Sequence, residues 1–583
     1  MIPSIAIKPK NLAAVAEQII APAKLPPTEQ LLREGGDARI AIAVGQDEDG
    51  VSNKYGCQSS PNDALLAYGS STASTISTHA FLAANGLRQR LLAALNTETP
   101  QNIYQYELNR VRQELNHLCE LDKVSGTDLI FAASGTDLHL IAAQLVAQRA
   151  RQNKETNKEK NKEKSEDLSK AASLLVIMME AEETGSGVPM AVAGRHFSSR
   201  SALGESVTVG ANIIANAVTD AVVETEAQIE VVTVAIRLSD GTPRAIDEVD
   251  AEVASLANHA ATRGQQVLLT LVDVTKTGMI APSIACAQQL SRRLPDTVTV
   301  LVDACQFRLS NASLHGYLLH HFMVALTGSK FLTGPTFSGV LMIPPEIAQS
   351  LRRISMPPAL RTYSCRADWP QDWAAADALA HVANFGLLLR WEAALEELRA
   401  FRAVPETAIV QFLEQFSAAF ADYLEKHPEL QSVPVPRLDR QALNGETSWD
   451  QYKTIFPFLL CASATPDHRD HPTLLSREQT MQVYRLLLPD LSGRSDLGFG
   501  DVLGGEFLEE FGKVVALQCQ LGQPVLCGQR AGLPVSALRL CASARLIVEA
   551  TANHGQQASQ VIAKALAVLD KTIVLIQHVS QRS

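Results

Sequence analysis

The segment LTGSKFLTGPTFSGVLMIPP, residues 326–345, places a lysine directly after a strand end and a turn of small residues. Lysine is the one side chain that forms an imine with an aldehyde cofactor, and burial near positive charge keeps its amine nucleophilic. Around Lys330, the residues Thr327, Gly328 and Ser329 bring hydroxyl and backbone donors within reach of a phosphate. A surface lysine in a Gly/Ser turn is the competing reading of this segment taken alone.

Two further segments share its grammar. The strand VTVLVDACQ ends in Asp303, with Gln306 three positions later. A strand-end carboxylate can pair with a pyridinium nitrogen and keep the ring an electron sink, and Gln306 could donate to a ring oxygen. The plainer role for an isolated strand-end Asp is a helix N-cap. In AASGTDLHLIAAQL, 132–145, a strand gives way to Ser134, Gly135 and Thr136 and then a helix. Free N–H groups and the positive end of the helix macrodipole make such a junction a phosphate cup. Capping alone also explains Ser134 or Thr136.

These segments need a frame that brings strand ends together. From about residue 60 to 345, helical runs alternate with short β-branched strands, which predicts an α/β fold with a mostly parallel sheet and helices on both faces. The predicted strands are 129–134, 173–180, 229–236, 266–274, 297–304 and 321–328, with 339–344 returning along an edge. All three chemical segments then lie at C-terminal strand ends, where open α/β sheets bind ligands. After Pro344–Pro345 the composition turns helical through 371–401 and on to about 426. Strands are expected at 454–462, 514–520 and 536–544, and a closing helix at 556–576. The division is therefore an N-terminal segment (1–60), a large domain (61–345), and a helical connection with a smaller C-terminal α/β domain (346–583). The charged, low-complexity stretch 151–170 reads as a solvated helix extension or surface loop.

Composition narrows the classes. Hydrophobic residues make up 46% and charged residues 19%, the balance of a globular protein. A net charge of −11 argues against a general affinity for nucleic acid or anionic lipid. No run approaches the roughly 20 apolar residues of a spanning helix, and the start lacks a secretory pattern, so a cytoplasmic protein is expected. The nine cysteines are scattered, with no C-x-x-C pair to signal a metal site or a disulfide framework.

The order of S-G-T before a helix, D-x-x-Q after a strand, and Lys330 before F-L-T-G-P-T-F-S-G resembles the large domain of fold-type-I enzymes that use pyridoxal phosphate (PLP). It is most similar to the class V group of aminotransferases, cysteine desulfurases and kynureninase, over residues 60–540. The resemblance implies that Lys330 carries the cofactor, Asp303 pairs with its ring nitrogen and Gln306 neighbours its ring hydroxyl. Ser134, Gly135, Thr136, Thr327, Ser329 and Thr336 would then belong to the cofactor site. The family's ring-covering aromatic or histidine is replaced, in MMEAEETGSGVP, by Glu183 or Thr184. Thr275 falls where the family often has an Asn beside the ring oxygen. Arg539, in SALRLCASARL, resembles the arginine that grips a substrate carboxylate bidentately, a surface ion pair being its alternative. Asn53 and Tyr55 resemble an entrance segment over the substrate, although a turn with a core Tyr also explains them. The family is usually dimeric, which implies a homodimer with residues 334–336 reaching across.

On this reading the partner is a small amino substrate and the reaction is aminotransferase-like. The runner-up is a C–S lyase or desulfurase with Cys527, 12 positions before Arg539, as nucleophile. A non-catalytic binding module that keeps the PLP fold is the alternative from another class.

Overall fold

Near-continuous apolar runs become strands in the computed structural model, which describes residues 25–33, 39, 46–47, 50–51, 58–69, 75–160, 174–213, 229–354, 356, 358–445, 447–462, 473–492, 507–530 and 532–581. The large sheet is built from β1 (Asp128–Ala132), β2 (Leu174–Met179), β3 (Ile229–Val234), β4 (Gln266–Asp273), β5 (Ile280–Ala281), β6 (Val298–Asp303), β7 (Met323–Thr327) and β8 (Gly339–Ile343). Its order is β1-β8-β7-β6-β4-β2-β3, with the short β5 folded back on β4. Neighbours from β7 through β3 pair in parallel, whereas β8 runs antiparallel to both β7 and β1.

Side-chain alternation decides the layering. Leu129 and Phe131 of β1 enter one apolar cluster while Ile130 and Ala132 enter another; Leu175 and Ile177 of β2 separate in the same way from Leu174 and Val176. Both faces must therefore be covered, as expected for a parallel sheet. Helices α1 (Thr78–Ala94), α3 (Ile246–Thr262), α4 (Ile284–Arg293) and α5 (Phe385–Arg402) pack on the first face. Helix α2 (Gly135–Lys160) packs on the second, through Leu138 and Ile141 among others.

A second, antiparallel sheet follows helix α6 (Glu406–Lys426). It comprises β9 (Leu430–Ser432), β10 (Ile455–Ala462), β11 (Thr473–Leu474), β12 (Gly522–Arg530) and β13 (Leu533–Cys541), in the order β9-β10-β13-β12 with β11 on β10. Helix α7 (Arg477–Leu487) and the closing helix α8 (Ala558–Gln581) complete this part.

Three expectations are corrected. Residues 339–344 are not an edge strand: β8 lies between β1 and β7 and is wholly buried. Helix does not run through 371–401; short 3₁₀ turns occupy 358–362, 366–368 and 374–376 before α5 begins at Phe385. Pro370 stands just before that run, and the buried indoles on either side of it donate to fixed acceptors, Trp369 to Ser364 and Trp373 to Asp128. Within 514–520 helix persists to Ala516, and only Gln518–Gln520 form a strand, since so short an apolar run does not distinguish the two states. The charged stretch continues α2 as far as Lys160, and residues 161–170 lie outside the described residues.

Candidate functional site

The strand ends Ala132, Met179, Asp273, Asp303 and Thr327 share the carboxyl edge of the sheet, so the loops that follow them converge. Between those loops and the second sheet lies a cavity of about 600 Å³. Lys330, Asp303 and Gln306 all line it, together with Gly135, Thr136 and Ser329. Residues 523–526 and Arg539 reach it from the second sheet.

Asp303 is buried at the end of β6 with Oδ2 3.3 Å from Nε2 of His139, and Cys305 N donates to its Oδ1 at 3.2 Å. Burial alone would raise its pKa. The charge and hydrogen bonding of His139, followed by the charge of Lys330, outweigh that and hold the carboxyl well below the usual carboxylate range. For His139 burial disfavours the imidazolium, but Asp303 wins and raises its pKa. Nδ1 of His139 meets the carbonyl of Gly135 at 2.8 Å, which orients the ring. Lys330 is half-buried, and its amine has no hydrogen-bond partner among the described residues.

The start of α2 makes the anion cup. Asp137 N donates to Ser134 Oγ at 3.3 Å, the geometry of an N-cap, while the Ser134 hydroxyl donates to Asp137 Oδ2 at 2.6 Å. Arg39 grips the same carboxylate bidentately, at 3.0 and 2.6 Å, with both side chains buried. The N–H groups of Gly135 and Thr136, in the first turn, have no intrahelical partner and line the cavity. Gly135 is required there because a Cβ would lie 2.8 Å from Cys305 Sγ and 3.3 Å from Thr327 Cγ2.

Arg539, on β13, is buried at the cavity and is not a surface ion pair. It donates to the carbonyls of Lys276 and Gln523 at 3.2 and 2.7 Å, and its Nε has no partner among the described residues. Gln306 Oε1 is likewise buried and unpaired. Buried polar atoms without partners on a cavity wall mark where a polar ligand would sit. A pyridine ring with an anion at one end and an amine partner at the other fits this set of donors.

Several expected contacts are not made. Glu183 lines the cavity, but its carboxylate is engaged, accepting from Arg237 Nε at 2.6 Å and from the Thr277 hydroxyl and N–H, all buried. Thr184 also lines the cavity, with its hydroxyl donating to Glu180 O at 3.1 Å. Thr275 closes its own turn with Met279 and does not line the cavity. The Ser134 hydroxyl is spent on Asp137, and that of Thr327 on Cys305 O at 2.7 Å, so the phosphate donors left among the expected residues are backbone N–H groups and the hydroxyls of Thr136 and Ser329. Thr336 is buried off the cavity, and Gly334 is folded inward onto Gly328 and Ala394, so this segment does not reach outward. Cys527 packs in a small apolar cluster with Val433, Leu459 and Val535 and does not itself line the cavity, although Leu526 before it does, and burial pushes its thiol pKa up. Asn53 and Tyr55 lie outside the described residues.

No protein-family model matches the chain, and no curated protein matches it. Among solved structures, mouse CSAD is 16% identical, with 88% of this chain and 84% of that chain covered at a TM-score of 0.45. Oryza sativa TDC with PLP is 11% identical, covering 88% and 83% at 0.44. The cystine C–S lyase C-DES, in complex with cysteine persulfide, is 16% identical, covering 86% and 97% at 0.42.

Sequence reasoning missed His139, Arg39, Lys276, Arg237 and Arg477. His139 had a signal: it stands four residues after Gly135, on the same helix face as the cup. Lys276, beside Thr275, lines the cavity, as does Arg477 at the start of α7. For Arg39 no local pattern points to Asp137, 98 positions away.

Proposed function

We propose that this chain is a PLP-dependent enzyme acting on an amino acid or related small amine, with Lys330 as the lysine that carries the cofactor. One observation supports it above the others: Lys330, an ionised Asp303 and the free N–H groups of Gly135 and Thr136 share one cavity of about 600 Å³. Gly135, Thr136 and Ser329 would hold the phosphate, Asp303 the ring nitrogen and Gln306 the ring oxygen. When bound, PLP supplies the electron sink for a carbanion beside an amine. The chain's own work is positional and protonic. His139 keeps Asp303 charged, Arg539 offers a planar fork to a substrate carboxylate, and the Lys330 amine takes or returns a proton at the substrate α-carbon.

The finer reading is an aminotransferase-like enzyme of the class V group, and a homodimer by the same resemblance. Aminotransfer needs only residues already on the cavity wall. Cys527, the nucleophile of the desulfurase alternative, does not line the cavity, and Cys305, which does, is held protonated by burial and then by Asp303.

Purified protein mixed with PLP should develop a visible absorption band that Lys330→Ala abolishes. Borohydride reduction followed by peptide mass spectrometry should place the adduct on Lys330. An adduct on Lys276, which shares the cavity, or no band at all, would refute the proposal.

A further inference from the structure

The charges on the cavity wall do not balance. Besides Lys330 it carries Lys276, Arg477 and Arg539. Two of its carboxylates are already matched, Asp303 with His139 and Glu183 with Arg237, which leaves the exposed Glu182 as the only other acid on the wall among the described residues.

None of the three cations makes an ion pair among the described residues. Arg539 is 3% exposed, donates only to main-chain carbonyls, and keeps Nε unpaired. The Lys276 amine donates to the carbonyls of Ala181 and Glu182 at 3.0 and 2.9 Å, which are neutral oxygens, and touches no carboxylate among the described residues. Burial, then the nearby Arg539 and Lys330, lower its pKa to about 8 despite the charges of Glu183 and Glu182, and an anion seated at the amine would favour its charged form. Arg477 occupies the first position of α7, after the Ser476 cap, where the helix dipole disfavours a cation; it has no ion pair among the described residues. One substrate carboxylate on Arg539 would leave two cations facing the cavity unmatched.

We propose that the pocket selects amino acids carrying a second anionic group, a carboxylate or a phosphate, with Arg539 holding one anion and Lys276 and Arg477 receiving the other. This deepens the functional reading above and rests on it. Lys276 and Arg477 are then specificity determinants, reached from the large sheet and from α7 respectively, so the second anion bridges the two parts of the chain across the cavity.

The test uses the full chain loaded with PLP and titrated with matched pairs: L-aspartate against L-asparagine, L-glutamate against L-glutamine, and O-phospho-L-serine against L-serine. Half-saturation is read from the change in the visible spectrum. At least one acidic member should saturate at roughly tenfold lower concentration than its neutral partner, the gain of a charge-assisted contact in a partly buried site. Lys276→Met and Arg477→Met should each shrink that acid-to-neutral ratio toward one. Arg477 is exposed, so its variant decides the point even where Lys276→Met does not fold. A second readout needs no amine chemistry: succinate, and not butyrate, should raise the melting temperature of the loaded protein. Equal saturation by all acidic and neutral partners, or a ratio untouched in Arg477→Met, overturns the proposal. A protein that shows no band with PLP refutes the functional reading instead, whereas a band without acid preference refutes only the second anion site.

Discussion

Nε2 of His139 and Oδ2 of Asp303 lie 3.3 Å apart at the carboxyl edge of the sheet, each buried, with the histidine fixed from its other side by Gly135 O. Asp303 has a depressed pKa, so its stabilising contribution is present above about pH 4 and is lost only as pH falls through the lowered folded value. His139 has a raised pKa, so its contribution is complete below about pH 6.5 and fades as pH climbs through the raised folded value. Thermal melts of PLP-free protein should therefore decline on the alkaline side. His139→Gln should remove that decline and cost about 3 kcal/mol, because it strips the partner from a buried carboxylate.

Arg39 neutralises the one carboxylate in the first turn of the anion cup. Arg39→Ala leaves Asp137 buried and uncompensated beside the N–H groups of Gly135 and Thr136, so stability should fall by about 3 kcal/mol and PLP should bind more weakly. Adding Asp137→Asn to that variant should recover much of the PLP affinity, since the repulsive charge is gone. Equilibrium titration of PLP fluorescence in the single and double variants measures the coupling.

Gly135→Ala tests the cup by volume. The added methyl would meet Cys305 Sγ at 2.8 Å and Thr327 Cγ2 at 3.3 Å, and both of those side chains are buried. A destabilisation of about 1–3 kcal/mol is expected from overpacking, with PLP affinity falling alongside. Gly135→Ala combined with Cys305→Ala should restore both, as read by denaturant melts and PLP titration.

Cys527→Ala should lower stability by about 1 kcal/mol through its apolar cluster and leave the PLP band and turnover unchanged. Loss of sulfide release from cysteine in this variant, with the fold intact, would contradict the placement of Cys527 off the cavity wall.

Two strand-end aspartates show how far local pattern reaches. Asp273, in LTLVDV, and Asp303, in VLVDA, end neighbouring parallel strands in almost the same words. Asp273 is buried against Arg440, which donates to it through Nε at 2.9 Å, and against the Tyr317 hydroxyl at 2.6 Å; it serves structure and is off the cavity wall. Asp303 meets His139 and the cavity. Gln306 after Asp303 was the only local difference that pointed the right way.

Strand positions, the parallel rhythm and the Lys330, Asp303 and Gly135 segments were determined by the sequence itself, because apolar periodicity and strand-to-helix junctions are set by residues close along the chain. The partners that assign each charged side chain its role were decided only by the tertiary structure. Glu183 found Arg237, Arg539 came to the cavity from a separate sheet, and Arg39 reached Asp137 across 98 positions. The physical reason is that a buried charge is governed by whatever opposite charge or donor folding brings within a few ångströms, and that neighbour need not be near in the chain.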